Sequence, residues 1–154
     1  MEKTEILPAD LWNDEKLKSI NEFIKDHSDK QSKEKRIRNK LLAIQYTLED
    51  YIERDTIEEN EVMSILDFVK MYLNALQITK KQLALYFGMK DGNLHMYLTG
   101  KRKLNADIVL KISAFSNTNP EHWYRVQVKN DLLKLKAEKA EHYEKYNYQK
   151  LVTI

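Results

Sequence analysis

The side chains best suited to gripping another molecule crowd into one stretch, Thr79 to Lys103. Six cations (Lys80, Lys81, Lys90, Lys101, Arg102 and Lys103) accompany a single acid there, Asp91. Cations in clusters suit a polyanion, because each ammonium or guanidinium set near a phosphate releases condensed counterions, the main sequence-independent drive of nucleic-acid binding. Between the clusters lie Asn93, His95 and Met96, with Thr99 just beyond. An asparagine amide matches the acceptor and donor on an adenine edge, and a thioether meets a thymine methyl. Taken singly, each of these residues is ordinary on a solvated surface. Their position between basic clusters is what selects the reading.

Other chemistries lack the spacing they need. The chain has no cysteine, which excludes a disulfide scaffold, thiolate catalysis and a Cys-ligated zinc site. His27, His95, His122 and His142 fall into neither His-x-x-x-His nor His-Glu-x-x-His spacing, and no glycine-rich phosphate loop or nucleophile elbow occurs. We therefore expect no catalytic residue, no metal site and no cofactor, and do not read the chain as an enzyme.

The elements that must position the basic stretch are helices. Three glycines and two prolines in 154 residues, with 32% charged residues, favour helix over sheet. Apolar residues recur at spacings of three and four over 11–26 (Leu11, Trp12, Leu17, Ile20, Phe23, Ile24) and 35–54 (Ile37, Leu41, Ile44, Leu48, Tyr51), with the polar run 27–35 between them as a linker. Thr56 and Glu59 have capping-box spacing before a run from Val62 to about Gln77. Thr79 is a candidate N-cap for 80–87, Gly88 a turn, and a further short helix spans 91–98 with Asp91 as its cap. Asn105 caps 106–115, and Pro120 opens a long helix carrying Trp123 as a core anchor. Within this scheme Ala84 is the small contact between two crossing helices, and Leu83, Phe87, Met89, Leu94 and either Tyr97 or Leu98 are the buried set.

With those residues in place, 80–97 resembles the helix-turn-helix of the Xre (Cro/repressor-like) family. Its continuation is similar to the HigA-type antitoxin branch in particular: Gly100-Lys101-Arg102, Ala106-Asp107, Thr118 with Pro120-Glu121 and Trp123, Gln127, and Asp131-Leu132. The resemblance covers about residues 62–136. It implies an all-α protein with a five-helix, lambda-repressor-like DNA-binding domain, a homodimer that binds a double-stranded operator, represses its own operon and neutralises a RelE/HigB-like toxin. Where the family places a short polar or basic residue early in the recognition helix, this chain has Asp91-Gly92, an acid that repels phosphate and a residue that disfavours helix.

The expected organisation is an N-terminal helical extension (1–60), a helix-turn-helix domain (61–136) and a C-terminal tail (137–154). Their net charges are −4, +6 and 0. Lys80, Lys81, Lys90, Lys101, Arg102 and Lys103 are expected on the DNA backbone, and Asn93, His95, Met96 and Thr99 on the groove face. No signal segment or apolar run of membrane-spanning length occurs, so a cytoplasmic protein without membrane contact is expected. Two other readings stay open. One is a protein-interaction module that neutralises a partner without binding DNA; the other is a solitary Xre-type regulator.

Overall fold

The computed structural model describes residues 14–153. All regular structure among them is helical: α1 (Asp14–Glu53), a 3-10 turn (Glu59–Glu61), α2 (Ile65–Leu76), α3 (Lys80–Tyr86), α4 (Asp91–Leu98), α5 (Ala106–Ser116), α6 (Pro120–Glu144) and α7 (Tyr148–Val152). The chain divides between Asn39 and Lys40 into two compact units.

In the first unit the described residues belong to α1, where Phe23 stacks on His27 with ring centroids 6.1 Å apart. The polar run 27–35, expected as a linker, is helical instead. Its Lys, Gln and Glu residues are good helix formers, and no glycine or proline interrupts them. Leu11 and Trp12, expected to open this helix, lie outside the described residues.

The second unit holds the core. The α1 stripe delivers Ile44, Leu48 and Tyr51 into it, against Phe68, Val69 and Tyr72 of α2, Leu83 and Ala84 of α3, Leu94 and Leu98 of α4, Ile108 and Ile112 of α5, and Trp123 and Val126 of α6. Polar ties fix the α1 end. The Tyr51 hydroxyl lies 2.5 Å from Asn130 Oδ1 and accepts from the Met63 amide, and Asn130 Nδ2 donates to the Met63 carbonyl. Lys129 donates to the carbonyls of Ile52 and Arg54, satisfying acceptors that the end of a helix leaves open.

Helix starts follow side-chain chemistry, though not always where spacing placed them. The capping box before α2 is Ser64 with Asp67, and Thr56 with Glu59 does not form one. The Ser64 hydroxyl accepts from the Asp67 amide at 3.1 Å while the Asp67 carboxylate accepts from the Ser64 amide at 2.9 Å, so two orphan donors are satisfied. Thr79 and Gln82 repeat the device at α3. Asn105 and Asn119 cap α5 and α6, the latter with Pro120 in the first turn. The segment expected as a C-terminal tail (137–154) is helical to Glu144 with a break at Lys139, and again over α7.

Between α5 and α6 the core contains a directed hydrogen-bond chain. Trp123 Nε1 donates to Thr118 Oγ1 at 2.8 Å, which is 2.7 Å from Ser116 Oγ, and Ser116 Oγ donates to the Ile112 carbonyl at 2.7 Å. Because Ser116 has one hydroxyl proton and gives it to Ile112, Thr118 donates to Ser116 and keeps a lone pair for the indole. The Ser113 hydroxyl closes the corner on the Thr118 carbonyl.

Tyr72 is the counter-example. It is buried, with its ring 6.4 Å from that of Trp123, yet its hydroxyl has no hydrogen-bond partner among the described residues. Burial, with the Glu49 charge adding to it, pushes the phenol up from 10.0 to about 12. The folded state thus keeps the Tyr72 proton over a pH range in which the unfolded chain loses it, and stability falls as pH rises from about 10 to about 12. Tyr72→Phe is expected to match or exceed the parent in urea unfolding at neutral pH, and its advantage should widen across that window.

Candidate nucleic-acid interface

Helix α3 ends at a turn that carries the chain into α4. Gly88 adopts φ +71°, a left-handed conformation that costs glycine least. The Met89 amide returns to the Ala84 carbonyl at 3.0 Å. α4 is then seated by Leu94 and Leu98, exposed by 0% and 1%, while Gly92 and Asn93 are exposed and His95, Met96 and Tyr97 half-buried. Asp91 is not the cap that spacing suggested: Lys90 holds that position, without a side-chain cap bond, and Asp91 is the first helical residue. A carboxylate there is favoured by the amide dipoles of the helix start. Gly92 falls in the first turn, and a Cβ at that position would meet nothing within 4 Å.

The loop from Thr99 to Asn105 carries the second basic cluster and is tied down at four successive residues. The Arg102 amide donates to the Met96 carbonyl at 2.9 Å, and the Arg102 guanidinium sits 5.3 Å over the Tyr97 ring. Lys103 Nζ pairs with Asp131 at 2.7 Å, and the Leu104 amide donates to Gln127 Oε1, also at 2.7 Å. Asn105 Nδ2 donates to the Tyr97 hydroxyl at 3.2 Å. Gln127 and Asp131, both on α6, therefore fasten this loop to the body, and Tyr97 braces it from α4.

The ten residues expected to meet DNA divide by what they already hold. Lys81, Lys90 and Lys101 are exposed and make no side-chain hydrogen bond or ion pair among the described residues. Arg102 is exposed, its stacking on Tyr97 leaving the guanidinium donors uncommitted. Lys103 is engaged with Asp131, and Lys80 is drawn inward, its Nζ 2.8 Å from His95 Nδ1 and 3.8 Å from Asp91 Oδ1. The Thr99 hydroxyl folds back onto the His95 carbonyl at 2.8 Å. Asn93 is exposed without a partner among the described residues, and Met96 is half-buried.

Sequence reasoning passed over Tyr97, Gln127 and Asp131 as parts of the site, taking the first as core and the others as motif positions. The signal was present in their types: a cation and a free loop amide need an acceptor nearby, and α6 offers Gln127 and Asp131 one turn apart. Among the described residues no group of three or more His, Asp or Glu stands ready to hold a metal ion, and no helix is long and apolar enough to cross a membrane.

The geometry defines a helical protein that presents one short helix between exposed cations. No family model matches the chain, nor does any curated protein or solved structure.

Proposed function

We propose that the chain is a sequence-specific, double-stranded DNA-binding repressor of the Xre helix-turn-helix type, acting as a homodimer. In this reading α3 and α4 are the helix-turn-helix, and α4 enters the major groove. Lys81, Lys90, Lys101 and Arg102 hold phosphates, while Asn93, His95 and Met96 face the base edges. The observation that carries it is the state of these groups. Gly92 and Asn93 of α4 are exposed, and Lys81, Lys90, Lys101 and Arg102 have no ion-pair partner among the described residues to leave. Asp91 is a smaller obstacle to phosphate than its charge suggests, because Lys80 stands beside it.

The resemblance carries a narrower form of the proposal: an antitoxin that autoregulates its operon and covers a RelE/HigB-like toxin. The charge division supports it, since an acidic extension suits a basic, RNA-cleaving partner.

Selection from a random duplex pool, followed by titration of the chosen site over a range of salt, tests the DNA reading. Four phosphate-holding cations imply a log–log salt slope of about −3.6 per protomer. A flat salt response, or failure to enrich any sequence, sinks it. Within the selected site, Asn93→Ala is expected to leave overall binding largely intact and to relax preference at one base pair by about 1–3 kcal/mol. Unchanged preference at every position would show that α4 is set in a different register.

A further inference from the structure

One polar contact joins the start of α3 to α4. Lys80 Nζ lies 2.8 Å from His95 Nδ1 and 3.8 Å from Asp91 Oδ1. A lysine ammonium has only donors, so Nδ1 is the acceptor, and a neutral imidazole that accepts at one nitrogen carries its proton on the other. The contact therefore selects the tautomer protonated at Nε2. That atom has no partner among the described residues, yet it is not among the buried polar atoms left without a hydrogen bond, as Asp91 Oδ1 and His122 Nδ1 are. Nε2 reaches solvent. Lys80 itself is only 26% exposed and is spent on its two neighbours.

We propose that Lys80 is a positioning residue that holds His95 as an Nε2–H donor toward DNA, making His95 a specificity determinant of the groove face. As a donor at Nε2, His95 takes an acceptor on the major-groove edge, namely purine N7, guanine O6 or thymine O4. It rejects the amino groups of adenine and cytosine at the same place, where donor would meet donor. This rests on the DNA-binding reading above and departs from the sequence expectation on one point: Lys80 is not a phosphate contact. The remaining charged neighbour of the pair, Asp91, keeps the ammonium in place at the helix start.

The test has a part without DNA and a part with it. In the full chain carrying 15N-histidine, at about pH 8.5 where an ordinary imidazole is neutral, His95 is expected to show a pyridine-type Nδ1 and a pyrrole-type Nε2. Lys80→Arg should preserve this pattern and Lys80→Met should convert it to a tautomer mixture. With the selected duplex, removal of one acceptor at a time (7-deazapurine for N7, 2-aminopurine for guanine O6, 5-methylpyrimidin-2-one for thymine O4) should cost the parent about tenfold in affinity at one position, the worth of one hydrogen bond. The same change should cost His95→Phe nothing further. Lys80→Met should lose discrimination at that position while keeping the parent's salt slope. A proton on Nδ1 overturns the proposal, as does a salt slope in Lys80→Met reduced by about one. Sensitivity confined to a methylphosphonate overturns it too, by assigning His95 to the backbone. A folded protein with the Nε2–H tautomer that binds no DNA overturns the repressor reading itself, and the base-reading role falls with it.

Discussion

Replacing Lys101 and Arg102 together with alanine is expected to weaken binding to every duplex, selected or random, by about thirtyfold for each bound protomer near 0.15 M salt, and to flatten the log–log salt slope by about two per protomer. The size follows from counterion release: each phosphate contact contributes about 0.9 to the slope, and two contacts at that salt amount to about one and a half decades. The fold should tolerate the change. Lys101 has no side-chain partner among the described residues and Arg102 has only the Tyr97 ring beneath it, while the backbone of the loop stays fastened through Lys103, Leu104 and Asn105. Fluorescence anisotropy with a selected and a scrambled duplex, across salt, checks it. A loss restricted to the selected sequence would mean that these cations read bases, and no loss at all would place the nucleic-acid surface elsewhere.

Trp123→Ala is expected to cost about 3–5 kcal/mol of unfolding free energy, a large part of the roughly 5–15 kcal/mol that holds a domain of this size. Trp123 is 0% exposed, packs beside Tyr72, and begins the hydrogen-bond chain through Thr118 and Ser116 to the Ile112 carbonyl. Truncation opens a cavity where α5 meets α6 and also leaves a buried hydroxyl without its donor. The two contributions separate in Trp123→Phe, which refills most of the volume and still lacks the indole N–H. It should cost about 1–3 kcal/mol. Urea unfolding of both variants measures the difference, and equal stability of Trp123→Phe and the parent would show the indole bond to be worthless. DNA binding should weaken in Trp123→Ala only in step with the unfolded fraction, because the hydrogen bond of Trp123 goes to Thr118 and its ring lies beside Tyr72, neither of them on α4 or in the basic loop.

Sequence pattern captured the helices of the second unit because their starts and stops are local chemistry. Thr79, Asn105 and Asn119 each satisfy an amide two or three residues ahead, Gly88 takes the left-handed turn, and Leu83, Leu94, Leu98 and Trp123 recur at helical spacing and are buried. Where two local devices competed, spacing chose wrongly. Thr56 with Glu59 and Ser64 with Asp67 are equivalent as strings, and only packing of Ile65 and Phe68 against the α1 stripe decides which begins a helix. The polar run 27–35 shows the converse error, since lack of an apolar face was taken as lack of helix.

What the sequence by itself determined, then, is a cation-rich pair of short helices on an all-helical frame, because composition, capping and periodicity act over a few residues. Tertiary structure decided which of those cations are at liberty. The pairing of Lys103 with Asp131 spans 28 residues and that of Lys80 with His95 spans 15, so neither appears as a local pattern. Both arise from the crossing of helices, which sets long side chains from distant positions within reach of one another and leaves Lys81, Lys90, Lys101 and Arg102 to the solvent.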